Sequence, residues 1–309
     1  MSKSAHPCGV LFLDKPKGWT SRKAVNHVIH LFSKPEQKNR KQRPKAGHTG
    51  TLDPLATGML PILLGDATRF SNMGLSAEKS YEVSFDLSFQ TDTLDLEGEV
   101  LSRFEHAEVN KAALTEVLAK FMGKIQQVPP IYSAIRVDGQ RAHKMARQGQ
   151  DVQMQAREVE IIAIELLSLQ GSEVTLAVDC SKGTYIRSLA RDIGEQLGLG
   201  GCVTALRRTS SGGWAKEMMV SIEELEEKKE NCMLPLQIWL RDLPVISLAK
   251  DEAQRFVQGQ RLLVASYVAG DALCCIMFND LVLGTAMFNP NKGVLQPERV
   301  LPTAQEILK

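Results

Sequence analysis

The clearest signal in the chain is strict alternation. Residues 81–89 (YEVSFDLSF) set Tyr81, Val83, Phe85, Leu87 and Phe89 on one side and polar groups on the other, which predicts a half-buried antiparallel strand. Residues 173–180 (EVTLAVDC) repeat the pattern with Val174, Leu176, Val178 and Cys180, and 157–167 reads as a further strand. Residues 8–13 (CGVLFL) are continuously apolar, as in a short buried strand, and end in the loop DKPKG. The period then changes to that of a helix. From Ser21, a plausible N-cap, Ala24, Val25, Val28, Ile29 and Phe32 share one face. Leu114, Val117, Leu118 and Phe121 do the same over 110–123, closed by Gly123. After the turn SKG, residues 184–197 predict another helix, with Gly198 as its stop. The two prolines of VPPIYS (128–133) forbid a helix there. Ser221 and Glu224 form a capping box for SIEELEEKK.

Beyond WLRDLP the character shifts. Residues 245–309 read as a short helix (DEAQRFVQG) and strands around 261–266, 272–278 and 281–288, the last two joined at Asn279-Asp280 as a hairpin. This predicts a small β-rich module, with the chain dividing into 1–244 and 245–309, and an α+β class overall. Internal repeats are absent.

Charge changes this picture little in sum and more in detail. Lys+Arg is 37 and Asp+Glu 36 in 309 residues, so net charge names no partner. Residues 33–45 (SKPEQKNRKQRPK) nevertheless hold six Lys/Arg against one Glu. They fit either a solvated loop or an arm that meets phosphates. The six cysteines show neither CxxC nor metal-site spacing, which predicts reduced thiols in a cytoplasmic protein without a metal. The N-terminal apolar run is too short for a signal segment, and no stretch approaches a membrane span of about 20 apolar residues.

The stretch GHTGTLDPLATG (47–58) raises the chemical question. Asp53 stands in it as the lone charged group, among Gly47, Gly50, Gly58 and three threonines. Pro54 biases Asp53 toward extended backbone, and the glycines permit close approach of a ligand. Taken alone the stretch also fits a turn, since Asp-Pro is a common turn dipeptide.

Other segments resolve it. GVLFLDKPKGWTS (9–21), AGHTGTLDPLATGMLPILLGDATRF (46–70), KSYEVSFDL (79–87), TDTLDLEGEV (91–100), VPPIYSAIRVDGQRAH (128–143), CSKGTYIRSLARDIGEQLG (180–198) and LRRTSSG (206–212) run in the same order as in the bacterial tRNA pseudouridine-55 synthases. In these stretches the chain closely resembles that family, the TruB family. The resemblance implies a pseudouridine-synthase fold, with a mixed, mainly antiparallel sheet flanked by helices and a C-terminal PUA-like RNA-binding domain. It implies isomerisation of the T-loop uridine of tRNA, without cofactor, metal or guide RNA, by a protein expected to be a monomer. It makes Asp53 the catalytic carboxylate, Arg187 its ion-pair partner, and Tyr81 the side chain that stacks on the flipped base and assists proton transfer. Tyr185 and Leu206 would wall the pocket, and His48 would stack in the T-loop. Lys15, Lys17 and Arg69 are candidate phosphate contacts. Residues 33–45 are longer and more basic than the family's usual link, and the C-terminal module matches it only loosely. Three other readings compete: a catalytically silent tRNA-binding or tRNA-folding protein, a glycosidase-like hydrolase, and the same chemistry made dependent on a guide RNA, which the bacterial-like layout disfavours. The hydrolase wants two carboxylates in partnership, and the sequence offers one well placed.

Overall fold

The computed structural model describes residues 7–264 and 271–308, apart from residues 38, 40, 41, 106, 134, 138, 139, 143, 144, 146, 147, 149 and 151. Three positions of the basic segment and the end of the strand read around 261–266 thus lie outside the described residues. The strands are β1 (Gly9–Lys15), β2 (Ala46–His48), β3 (Thr57–Leu64), β4 (Lys79–Asp86), β5 (Phe89–Thr91), β6 (Val100–Arg103), β7 (Gly123–Gln127), β8 (Arg136–Val137), β9 (Gln140–Arg141), β10 (Arg157–Gln170), β11 (Glu173–Cys180) and β12 (Cys202–Ser211). A second group follows: β13 (Val245–Ser247), β14 (Leu262–Leu263), β15 (Ala272–Phe278), β16 (Leu281–Asn289) and β17 (Val294–Val300).

The main sheet has the order β1-β3-β12-β4-β11-β10-β7, with β2 also on β3. Every pairing is antiparallel except β3 with β12, which is parallel at Thr57↔Arg207 and Gly58↔Arg208. The alternating stretch becomes β4, central between β11 and β12, with Tyr81, Val83 and Phe85 buried and Glu82 exposed. Residues 57–64, unassigned from the sequence, form β3. Their lack of alternation has a simple cause: seven of the eight residues are buried, so both faces are apolar.

The first helix, Ser21–Leu31, begins one residue differently from expectation. Its N-cap is Thr20, whose hydroxyl accepts the Lys23 N–H at 3.0 Å. Ser21 is buried instead, and its hydroxyl accepts the Leu52 N–H at 2.8 Å and donates to the Leu52 carbonyl at 2.9 Å. The helix entry is thereby tied to the loop that carries Asp53. The helix Lys111–Lys120 is capped by Asn110, and Ser221 caps Ile222–Lys228 by accepting the Glu224 N–H.

β1 is buried on both faces. Leu11 and Leu13 enter the core under the helices with Val25, Val28 and Leu60, whereas Val10 and Phe12 join a second core with Met59, Leu63, Trp214 and Trp239. That second core continues into the C-terminal sheet through Phe256, Ile276 and Phe288. This sheet has the order β13-β15-β16-β17-β14, with the expected hairpin at Asn279, where φ is +51°. β13, β17 and the helix Pro302–Ile307 were not foreseen. The first residues of that helix meet the main domain, where Asp66 Oδ2 accepts the Thr303 N–H at 3.1 Å. Among the described residues no helix is long and apolar enough to cross a membrane.

Candidate active site

The helix Ile186–Gln196 starts on a fixed point. The Gln127 side-chain amide accepts from the Tyr185 N–H at 2.8 Å and donates to the Tyr185 carbonyl at 3.1 Å. Arg187 is the second helical residue, where a cation opposes the helix dipole. Two carboxylates offset this. The guanidinium lies 2.7 Å from Asp53 Oδ2 and 3.3 Å from Asp95 Oδ2. It also donates to the carbonyls of Thr93 at 2.7 Å and Tyr132 at 3.0 Å. Its side chain is 6% exposed, so the fork is held rigidly and stays charged.

Asp53 hangs from a loop anchored at many points. Besides the Ser21–Leu52 pair, the Asp53 carbonyl accepts from Ala56 and the Pro54 carbonyl from Gly18. Its side chain is 38% exposed: one side meets Arg187 and the other opens on a cavity of about 270 Å³. Tyr81, Tyr185, Leu206 and Arg187 line the same cavity. A volume of that order suits one nucleoside. Burial pushes both phenols up, Arg208 counters it at Tyr81, and a hydrogen bond with Ser133 counters it at Tyr185.

The second carboxylate was missed from the sequence. Asp95 is 3% exposed and also accepts from the Thr93 hydroxyl at 2.6 Å and the Glu97 N–H at 3.1 Å. It sits behind Arg187, outside the cavity lining. The pair therefore shares one guanidinium instead of flanking a bond to be hydrolysed. Glu97, nearby, is pushed up by burial and by Asp95 and Asp53. Its position in TDTLDLEGEV was the available signal for Asp95.

Two buried cations of the cavity wall were also missed. Arg208 is 1% exposed, and Lys79, also buried, donates to the carbonyls of Gly74, Leu75 and Ala77. Burial, with Arg208 nearby, lowers Lys79 to about 8. Arg208 follows Leu206 by two residues on one strand, so the period of a strand places both on one face.

His48 lies elsewhere. It lines an adjoining groove of about 770 Å³ with Arg22, Arg43 and Lys45, and burial together with Arg208 holds its imidazole below the usual range. Lys15 departs from expectation. It is fully buried, and its ammonium donates to the carbonyls of Trp19 at 2.6 Å and Pro16 at 3.0 Å, so it braces the DKPKG loop and is not open to a phosphate. Burial lowers it to about 8. Arg69 is exposed in the turn Gly65–Phe70 and lines neither space, although its neighbour Thr68 lines the groove. Lys17 is exposed beside a smaller cavity that Leu206 and Arg207 also line. Among the described residues no cluster of His, Cys, Asp and Glu is arranged to hold a metal.

Comparison with known proteins finds relatives over nearly the whole chain. Residues 38–186 match the model for the TruB family pseudouridylate synthase N-terminal domain, and residues 187–242 that for the tRNA pseudouridylate synthase B C-terminal domain. A tRNA pseudouridine synthase B of Ralstonia pickettii is 43% identical over 95% of this chain and 94% of its own length. The enzyme so named in Burkholderia mallei is 41% identical over 96% and 97%. Among solved structures, a chain of an H/ACA RNP bound to a substrate RNA containing 2′-deoxyuridine superposes with a TM-score of 0.69 at 25% identity, covering 95% of this chain and 84% of that one. A chain of a Cbf5-Nop10-Gar1 complex gives 0.69 and 25%, covering 94% and 84%. With both family models abutting at Arg187 and relatives matched nearly end to end, this chain belongs to the TruB family of pseudouridylate synthases.

Proposed function

We propose that this chain converts a uridine of tRNA into pseudouridine, the T-loop uridine at position 55, with Asp53 as its catalytic carboxylate. The carrying observation is the single half-exposed carboxylate, fixed at 2.7 Å by a buried guanidinium and facing a cavity of nucleoside size with tyrosine walls. The uridine leaves its stack, and aromatic contact with Tyr81 and Tyr185 offsets the few kcal/mol this costs. Asp53 drives cleavage of C1′–N1, as nucleophile at C1′ or as base toward a ribose proton. The uracil turns within the cavity and C1′ joins C5. The C5 hydrogen leaves as a proton, and N1 gains one. Arg187, held by Asp95 and two carbonyls, keeps the Asp53 carboxyl aimed at the cavity. The chemistry asks for neither a metal nor a cofactor.

The adjoining groove extends the proposal to the rest of the RNA. Arg22, Arg43 and Lys45 would meet backbone phosphates, and His48, kept neutral by burial, would stack on a base of the loop. The chain acts on tRNA alone, without a guide RNA, and is divided at 244/245, where the second sheet starts. That sheet is proposed as an accessory RNA-binding unit.

The test is release of tritium from tRNA transcript carrying 5-tritiated uridine, with this protein as the sole addition. Asp53→Asn is expected to abolish release while tRNA binding persists. Near-normal turnover by that variant, or silence of the native protein, overturns the reading. Recovery of an Asp53–sugar adduct would establish nucleophilic attack, and detection of a glycal the alternative.

A further inference from the structure

Gln127 closes β7 and is 1% exposed. It pairs with Arg157 on β10, so its backbone is fixed by a strand ladder. A buried amide must find partners for its oxygen and its nitrogen. Both lie on one residue, 58 positions along the chain. Oε1 accepts the Tyr185 N–H at 2.8 Å, and Nε2 donates to the Tyr185 carbonyl at 3.1 Å. The side chain thus pairs with Tyr185 as a residue of a neighbouring strand would, through one acceptor and one donor.

Tyr185 is the N-cap of the helix Ile186–Gln196, extended at φ −101° and ψ 108°, and it makes no side-chain capping bond. Stability alone favours Ser, Thr, Asp or Asn at that place. A tyrosine there is accounted for by the cavity, which it lines together with Asp53. Its carbonyl also accepts the Leu189 N–H at 3.0 Å, so the amide and the first helical turn grip the same residue. Val128, next in the chain after Gln127, repeats the attachment. Its carbonyl accepts from the Ser188 hydroxyl at 2.9 Å and from the Arg191 guanidinium at 3.0 Å. The start of the helix is therefore docked on the end of β7, and Gln127 carries that docking to Tyr185 itself.

Hydrogen bonds to both peptide groups of one residue restrain both of its backbone torsions, and with them the direction of its Cα–Cβ bond. We propose that Gln127 is a positioning residue that acts through Tyr185. It holds the tyrosine backbone so that the ring stands as a fixed wall of the cavity, against which the base rests while it turns. The wall is thereby referred to the sheet, through β7, and not to the helix alone. The inference rests on the cavity being the uridine site. A role in folding alone would show in stability and leave the rate at saturating enzyme unchanged.

The experiment compares Gln127→Met and Gln127→Glu with the native protein, by single-turnover tritium release and tRNA affinity, from about pH 6 to about pH 8.5. Gln127→Met keeps the length and loses both bonds. It is expected to slow the single-turnover rate about 30-fold, with affinity changed less than about threefold. Gln127→Glu separates the two contacts. A protonated carboxyl offers one acceptor and one donor, as the amide does, whereas an ionised one turns an acceptor toward the Tyr185 carbonyl. Burial and that carbonyl both favour the protonated form. At the acid end Gln127→Glu is therefore expected to recover at least about tenfold over Gln127→Met, each rate being taken relative to native. Circular dichroism at each pH refers the rates to folded protein. If Gln127→Met does not fold, Gln127→Asn, whose amide falls one methylene short, takes its place. A native-like rate for that variant, a loss confined to affinity or stability, or a Gln127→Glu rate equally low at both ends of the range overturns the proposal. Any of these on an active native enzyme refutes the role of Gln127 alone, whereas absence of turnover by the native enzyme refutes the uridine-site reading and this inference with it.

Discussion

The cavity at Asp53 and the groove at His48 share one loop and differ in how they hold charge. In the cavity the cations are buried and committed: Arg187 to two carboxylates, Arg208 and Lys79 to carbonyls. In the groove Arg22, Arg43 and Lys45 line an open space about three times larger. Fixed buried dipoles and charges act on reacting atoms at full strength, because little reorganisation follows when charge moves. Solvated cations act at longer range, are screened by salt, and add affinity with little preference for sequence. On the proposed function, the two regions thus divide the labour between rate and grip.

Substitutions can break or sharpen that division. The largest expected effect is Asp53→Asn, a loss of at least about 1,000-fold in single-turnover rate with tRNA affinity nearly unchanged. Asp95→Asn follows at about 30–100-fold, again in rate and not affinity, because the group lies behind Arg187 and outside the cavity lining. A drop in affinity there would blur the contrast. Replacing Arg43 or Lys45 by Ala should weaken binding several-fold and lower the salt slope by about one per residue, with the rate at saturating enzyme unchanged. Binding titrations at several salt concentrations decide it. Thr20→Ala should cost about 1 kcal/mol of stability through the lost helix cap, without touching either function.

The last effect touches neither region's function and concerns Lys15, lowered from 10.5 to about 8 by burial. Between those values the unfolded chain binds more protons at this site than the native one, so this residue's contribution to stability rises with pH. Native protein should therefore gain on Lys15→Met between pH 8 and 10.5. Urea midpoints of the two proteins at both ends of that range measure it, and a constant difference would refute it.

The alternating strands and the helical faces could be read directly, because each has one face to water and one to the core. β3 could not: burial on both sides removes the contrast that a period needs, and Pro61 in its middle argues against a strand. At the first helix two adjacent hydroxyls both satisfied the cap preference, and only the distant Leu52 decides between them. Asp53, Arg187, Tyr81, Tyr185 and Leu206 were named through resemblance, and they meet around one cavity. Asp95 and Arg208 stood in quoted stretches and were passed over, since a charged side chain reads as surface until its burial is known. Lys15 shows the converse error, a lysine taken as open that the fold encloses. In the C-terminal module β13 has three residues, and its place follows from pairing with β15, a contact that no local pattern encodes.

The second core has a consequence for any attempt to dissect the chain. Val10 and Phe12, on the edge strand of the main sheet, share their apolar surroundings with Trp239, Phe256 and Phe288. Cutting at 244 would therefore leave Trp214 and Trp239 beside Phe12 but remove the far side of this core, Phe256, Ile276 and Phe288 included, and expose what they cover. The truncated protein would lose folding cooperativity before it lost any RNA contact. Its weakened activity would measure a missing wall, and the worth of the C-terminal sheet as an RNA binder is better judged by surface substitutions on the intact chain.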